Sequence, residues 1–316
     1  MSSLTPVSLD EVSLDQFAPL IDEETASYLD AYRWDFHATA HLASQLVAAR
    51  SLTGLALLDG SRLAAYSYFV VEGSKAVIGD AYVRDAWACP QSERLLMDSS
   101  LDALRAFPHL RRLESQPMML RHPYSHPHAS RFERLFLELE LTSFSPHNLP
   151  PHPLSLQILP WNWRREEDSA QLLFLAYRNH VDASINDQYR TLAGARTYVS
   201  NVLRYPSCGF FHPASSFLLA DRTGTRLLGL VFSNIAQLPS GPVGHISQIT
   251  IDSSIRHRGA GRMLILTALA RFAALGCSHA TLSVTSANAS ALQLYRSLGF
   301  AERSRLWAYV WANWPS

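Results

Sequence analysis

Lysine is almost missing from this 316-residue chain: of its 27 basic residues only Lys75 is not an arginine. Schiff-base chemistry and lysine-held phosphates therefore have almost no candidate, and the positive groups are guanidiniums, suited to bidentate contacts with phosphate. Cysteine is scarce too. Cys89, Cys208 and Cys277 are far apart, odd in number and without a C-x-x-C pair, which signals neither a disulfide framework nor a zinc site. The formal net charge is zero, so no global field draws nucleic acid or an anionic membrane surface. No apolar run approaches membrane-spanning length, and the amino terminus MSSLTPVSLDEVSLDQ is polar and acidic. The expectation is a cytoplasmic protein with no nucleic-acid partner, no membrane partner and no metal.

What the chain does have is an apolar fraction of 47%, enough to fill two ordinary cores at this length. Residues 1 to 50 read as mostly helical, with Ser13 as a cap. GLALLDGSRLAAYSYFVVEGSKAVIGDAYV reads as a three-strand meander turned at Asp59-Gly60 and Gly73-Ser74. A helix from about Gln91 to Phe107, a strand through LRRLESQPMM and a helix through ASRFERLFLELEL follow. The second half repeats the order. LSLQILPW, two helices through REEDSAQLLFLAYRNH and YRTLAGARTYVSNVLR, and the strands FLLADRTG, RLLGLVFSNI and HISQITID precede its closing elements. Two tandem copies of one α/β fold are expected, at 1–145 and 155–316, joined by a Pro-rich linker at 146–154.

The most informative stretch runs from His245 to Phe300. HISQITI alternates and is β-branched, so it reads as a strand. Arg256 to Gly261 is a loop whose glycines let backbone amides approach a ligand, and LILTALARFAALG after it is a helix ending near Gly276. A helix start flanked by Arg256, Arg258 and Arg262 suits a phosphorylated anion. A Walker loop and a dinucleotide fingerprint are both excluded by spacing. The pattern Arg256-x-x-Gly259-x-Gly261 after a strand, followed by N-x-x-A-x-x-L-Y-x-x-L-G-F from Asn288, resembles the GCN5-related N-acetyltransferase (GNAT) superfamily. That resemblance implies two GNAT-like domains, each a mixed, mostly antiparallel sheet flanked by helices, with acetyl-coenzyme A as cofactor.

The resemblance also implies roles. Arg256, His257, Arg258, Gly259, Ala260, Gly261 and Arg262 would hold the pyrophosphate. Ile249 and Ile251 would offer backbone groups to the pantetheine arm, because this strand splays from the later strand ATLSVTS, and Asn288 would face the same cleft. Tyr295, two helical turns after Asn288, stands where the family often keeps a general acid, and its phenol is protonated at neutral pH. His245 stands where relatives keep a carboxylate base, and histidine titrates near neutrality. Ser247, on the same face by alternation, would complete a water path. Asp182 and Asp187 would receive a cationic amine and Tyr189 would line its apolar part.

Aligning FERLFLELEL with ALQLYRSLGF sets Phe136 against Tyr295, and aligning VRDAWACPQSER with IDSSIRHRGAGR sets Gln91 and Glu93 against Gly259 and Gly261. The first copy is then expected to be inert. The reading is an N-acetyltransferase acting by direct attack of a small-molecule amine, with the second copy catalytic. A non-catalytic acyl-coenzyme A sensor, or acetylation of a protein amino group, is the alternative. His122, His126 and His128 are set aside as a metal cluster because the prolines among them break any helix that would align them.

Overall fold

A computed structural model describes residues 4–142, 144 and 156–314. The expected linker at 146–154 lies outside the described residues. In chain order the elements begin with β1 (Thr5–Ser8), α1 (Leu14–Tyr32), α2 (His37–Ala48), β2 (Gly54–Asp59), β3 (Arg62–Glu72) and β4 (Lys75–Val83). Next come α3 (Pro90–Leu104), β5 (Arg112–Ser115), β6 (Ser130–Glu140), β7 (Gln157–Pro160), α4 (Glu166–Tyr177) and α5 (Asp182–Ile185). Then follow α6 (Leu192–Arg204), β8 (Phe210–Phe211), β9 (Phe217–Ala220), β10 (Leu227–Leu238) and β11 (Gly241–Ile251). The last are α7 (Ala260–Ala274), β12 (His279–Thr285), α8 (Ala289–Ser297) and β13 (Ala301–Trp311). The fold is α/β, with largely antiparallel strands flanked by helices.

Two compact units emerge, and they are not two consecutive stretches. Unit 1 comprises Met1–Tyr32, Phe36–Arg134 and Arg305–Ser316, and unit 2 comprises Arg33–Asp35 and Leu135–Ser304. The expected division at 1–145 and 155–316 is corrected accordingly: the chain leaves unit 1 within β6 and re-enters it within β13. The second correction concerns β6 itself. ASRFERLFLELEL was expected as a helix, but Ser130–Glu140 is a strand. Its residues alternate well enough between apolar and polar to serve a sheet, and neighbours decide such cases over propensity. Unit 1 consequently has no helix between β5 and β6, and Phe136 is not the counterpart of Tyr295.

In unit 1 the strand order is β1-β2-β3-β4-β5-β13, with the meander turned at Asp59-Gly60 and Gly73-Ser74 as the turn chemistry requires. Ser13 caps α1, accepting from the Gln16 N–H at 3.3 Å. The core is built from Leu57, Ile78, Leu96, Leu101 and Leu113 together with Tyr309, Trp311 and Trp314 from the end of the chain.

In unit 2 the order is β6-β12-β11-β10-β9-β7, with β8 pairing β10. Here α7 is buried nearly all round, through Met263, Leu264, Ile265, Leu266, Leu269 and Phe272. Gly244 on β11 makes that possible, because a Cβ there would sit 2.5 Å from the Phe272 ring. No helix of the described residues is long and apolar enough to cross a membrane.

Candidate functional site

The site in unit 2 begins where a ladder ends. β11 and β12 run parallel and pair from Val243↔His279 to Ile246↔Leu282, yet β11 continues to Ile251 and β12 to Thr285. Beyond Ile246 the two strands part. A bulge adds to this: Phe232 faces Gln248 while Ser233 faces Ile246, so Ser247 is the extra residue on β11. Alternation shifts by one there. Ile246 packs with Ile249 and Ile251 in the core around α7, whereas Gln248 turns to the opposite side.

The carbonyls of the parted strand already have partners. That of Ile249 accepts from the Gln248 side chain at 3.2 Å and that of Ile251 from Arg256 Nε at 3.1 Å. Arg256 also donates through Nη2 to the Ala176 carbonyl at 2.7 Å. Its guanidinium thus ties the loop to the strand end and to α4.

At the end of the loop, Gly259 adopts φ of 83° at the N-cap of α7, a left-handed conformation that favours glycine, and His257 before it has φ of 61°. No side chain caps α7, and its first ladder bond runs from the Met263 N–H to the Gly259 carbonyl at 3.0 Å. The amides of residues 260–262 therefore have no acceptor within the helix, and the positive end of its dipole faces the loop. A Cβ on Gly261 would meet only Leu294 at 3.4 Å and Ile251 at 3.7 Å, so the helix start lies against both the parted strand and α8. Arg262 reaches Ser297 on α8 at 3.0 Å, and Arg258 is exposed. Residues 256–262 thus gather amides with no partner among the described residues and, besides Arg256, the exposed side chains of Arg258 and Arg262 beside the strand gap, an arrangement that fits a phosphorylated ligand.

Tyr295 lies buried on α8, with its ring 5.9 Å from that of Phe300. Among the described residues its hydroxyl has no hydrogen-bond partner. Burial first, and then the nearby Asp182 carboxylate, hold its phenol protonated well above the usual range. Asn288 caps α8, accepting from the Ala291 N–H at 3.2 Å, and its Nδ2 lies 3.1 Å from His180 Nε2.

Asp182 accepts from the Thr285 hydroxyl at 2.5 Å and lies 3.6 Å from His180 Nδ1. Tyr189 is buried in an aromatic group, 4.4 Å from Tyr177 and 4.9 Å from Tyr198 between centroids. Asp187 opens the short 3-10 turn that also contains Tyr189.

His245 departs furthest from expectation. It is 7% exposed, its ring lies 5.9 Å from that of Phe136 and 6.3 Å from that of Trp34, and Nδ1 is 2.9 Å from the Thr281 hydroxyl. Burial pushes its pKa down to about 4, so it is neutral throughout the range in which it was expected to titrate. Ser247 does not continue a water path from it, since its hydroxyl donates to the Phe232 carbonyl and to Asn234 Oδ1, each at 3.2 Å.

Residues 183–300 match the model of the Acetyltransferase (GNAT) family. This stretch is a GNAT domain. The chain is 38% identical over 94 residues to a mycothiol acetyltransferase of Thermobispora bispora, a match covering 29% of this chain and 31% of that relative. The chain therefore spans less than a third of the length of the curated relative it matches. Two solved structures share the fold along nearly the whole chain. One is a GCN5-related N-acetyltransferase from Sphaerobacter thermophilus, with TM-score 0.63 and 11% identity, covering 97% of this chain and 95% of the other. The second, a tandem GNAT protein from the clavulanic acid biosynthesis pathway, gives TM-score 0.59 and 12% identity over 99% of both chains. At these identities the likeness is one of fold.

Sequence reasoning missed several polar residues of this GNAT domain. Gln248 donates to the Tyr177 hydroxyl at 2.7 Å and accepts from Tyr198 at 2.8 Å, bridging α4 and α6 on the parted strand. His180 and Thr285 were also overlooked. A glutamine inside a β-branched strand was a usable signal, because a buried amide needs partners and so marks a polar spot in the core. His180 carried none, since its partners come from three separate elements.

Proposed function

We propose that unit 2 is an acetyl-coenzyme A-dependent N-acetyltransferase acting on the amine of a small molecule in the cytoplasm, and that unit 1 has no chemistry. The observation that carries this reading is the uncapped start of α7, with Arg258 and Arg262 beside it, set against the place where β11 and β12 part. A phosphorylated carrier of an acyl group fits both features: the amides of residues 260–262 would hold its pyrophosphate, and the strand gap would take its arm. When bound, it supplies an acetyl thioester.

The chain's own residues would do the rest. Tyr295 keeps its proton at neutral pH and presents a hydroxyl without a partner among the described residues, as suits a donor to a departing thiolate. The Asp182 carboxylate, held by Thr285, gives the cleft a negative charge that favours a cationic amine over an anion. The likeness to mycothiol acetyltransferases favours an amine on a small molecule, with an amino-sugar thiol precursor as the first acceptor to try.

The test is thiol release from acetyl-coenzyme A with a panel of amines. Turnover that disappears in a folded Gly261→Glu protein supports the assignment. Coenzyme A binding without turnover on any amine would make the protein a sensor instead.

A further inference from the structure

Four side chains from two short stretches, residues 180–182 and 285–288, meet at the mouth of the parted strands. His180, in the turn after α4, touches two of the others. Its Nε2 lies 3.1 Å from Asn288 Nδ2, and its Nδ1 lies 3.2 Å from the Asp182 backbone N–H and 3.6 Å from the Asp182 carboxylate. Thr285, at the end of β12, closes the group through Asp182.

The orientation of the Asn288 amide is not arbitrary. Its Oδ1 caps α8 at the Ala291 N–H, which turns Nδ2 towards His180. A neutral imidazole accepts at one nitrogen only: the Asp182 N–H points to Nδ1 at 3.2 Å, but Asn288 Nδ2 at Nε2 together with the Asp182 carboxylate beside Nδ1 favours the tautomer with its proton on Nδ1 and a lone pair on Nε2. An imidazolium would instead set an N–H against the N–H of Asn288.

We propose that His180 is a positioning residue of this site: in its neutral form it holds the amino-terminal cap of α8, and with it Tyr295, against the strand gap. Protonation of His180 releases the cap. This rests on the acyl-transfer reading for its catalytic consequence, though not for the clamp itself. The groups facing the imidazole act in opposite directions. Burial disfavours its charge most, Asp182 favours it, and Arg256 disfavours it. The Tyr177 ring, 4.8 Å away, covers one face. His180 is a quarter exposed, so protons reach it without unfolding.

Two measurements test this in the full chain. In the first, imidazole and amide resonances are followed by NMR as the pH is lowered. The Ala291 amide should shift in step with His180, and that step should vanish in Asn288→Ala. An Ala291 amide that ignores His180 in a folded protein overturns the clamp, whatever the activity.

The second is kinetic. His180→Ala should lower kcat about tenfold, as expected of small misplacements, with acetyl-coenzyme A affinity within about twofold. His180→Gln, which keeps an acceptor for Asn288 but cannot titrate, should recover part of the loss and remove the acid limb of the pH profile. An unchanged acid limb in His180→Gln overturns the positioning role. If no amine supports turnover while the NMR step is present, the acyl-transfer reading fails and the clamp stands.

Discussion

Ile78 in unit 1 and Ile246 in unit 2 each hold the last rung of a four-residue parallel ladder. Each is followed by one bulged residue, Gly79 or Ser247. Counting on, Asp80 matches Gln248, and both meet a tyrosine hydroxyl from the helix before the meander: Tyr28 at 2.8 Å and Tyr177 at 2.7 Å. The short ladder, the bulge and the tyrosine contact are therefore common to both units, although β5 ends at its last rung whereas β12 runs on to Thr285. The helix side differs. α3 begins at Pro90, two positions earlier than α7 on this count, and the Cys89 N–H is bound by Ser92 Oγ at 3.1 Å. Glu93, matching Gly261, is buried and accepts the backbone N–H groups of Arg121 and His122, each at 2.9 Å. In unit 1 the chain's own groups hold the carboxylates of Asp80 and Glu93. An exposed helix start with no cap is harder to explain without a ligand.

The sharpest way to break the comparison is to move the unit 1 residue into unit 2. Gly261→Glu adds bulk and negative charge beside the uncapped amides, and coenzyme A affinity should fall by more than about a hundredfold. The Cβ itself is tolerated at its 3.4 Å contact, so Gly261→Ala should stay folded and separates backbone effects from charge. Calorimetry on both variants gives the answer. A coenzyme A site that persists in Gly261→Glu would mean unit 1 binds it too, despite Glu93.

Next in size is Tyr295→Phe. Unit 1 has no counterpart of α8, and the tyrosine there is proposed as the donor to the thiolate. We expect kcat to fall around a hundredfold with coenzyme A affinity nearly intact, since general-acid assistance acts in the transition state. Unchanged single-turnover rates would reduce Tyr295 to packing against Phe300.

These two residues also show what was legible in the sequence. The glycines and Tyr295 belong to a local pattern whose meaning lies within some forty residues, and the structure places them around one gap. Phe136 was misread because an apolar-polar run of that length suits a strand as well as a helix, and only its neighbours decide. The exchange of last strands between units was invisible for the same reason: it depends on pairing across the whole chain. His245 failed differently. Its strand position was read correctly, but its titration depends on Trp34, over two hundred residues away, and on Phe136.

The third expectation concerns the buried carboxyls of unit 1. Glu24 and Asp80 are both buried, the first accepting from Tyr66 and the second from Tyr28, each at 2.8 Å. Burial raises Asp80 to about 6, and burial and then the Asp80 carboxylate raise Glu24 well above its usual value. The folded state therefore binds more protons than the unfolded one, and stability falls as pH rises. For Asp80 the loss begins near its unfolded value of 3.8 and levels off above about 6, on the order of 3 kcal/mol in all. Glu24→Gln supplies a permanent donor to Asp80 and should flatten that slope. Denaturant unfolding at pH 5 and pH 8 measures it, and a wild-type protein equally stable at both would sink the argument.

The smallest effect at neutral pH is expected from giving unit 2 the unit 1 residue at the next position back, His245→Val, since Val77 matches His245 on this count. Removing the ring leaves space beside Trp34 and Phe136, which should cost about 1–2 kcal/mol of stability at pH 7. The rate should stay within about threefold, because a group with a pKa near 4 is a weak proton acceptor at that pH. The neutral limb of the pH profile should survive, and the stability difference should narrow in acid. The folded state resists protonating His245, so the wild type loses stability as pH falls from about 6.5 towards 4, a loss the valine variant escapes. A tenfold or larger fall in rate together with loss of the neutral limb would restore His245 as the base. It would also show that the aromatic cage opens when substrate binds.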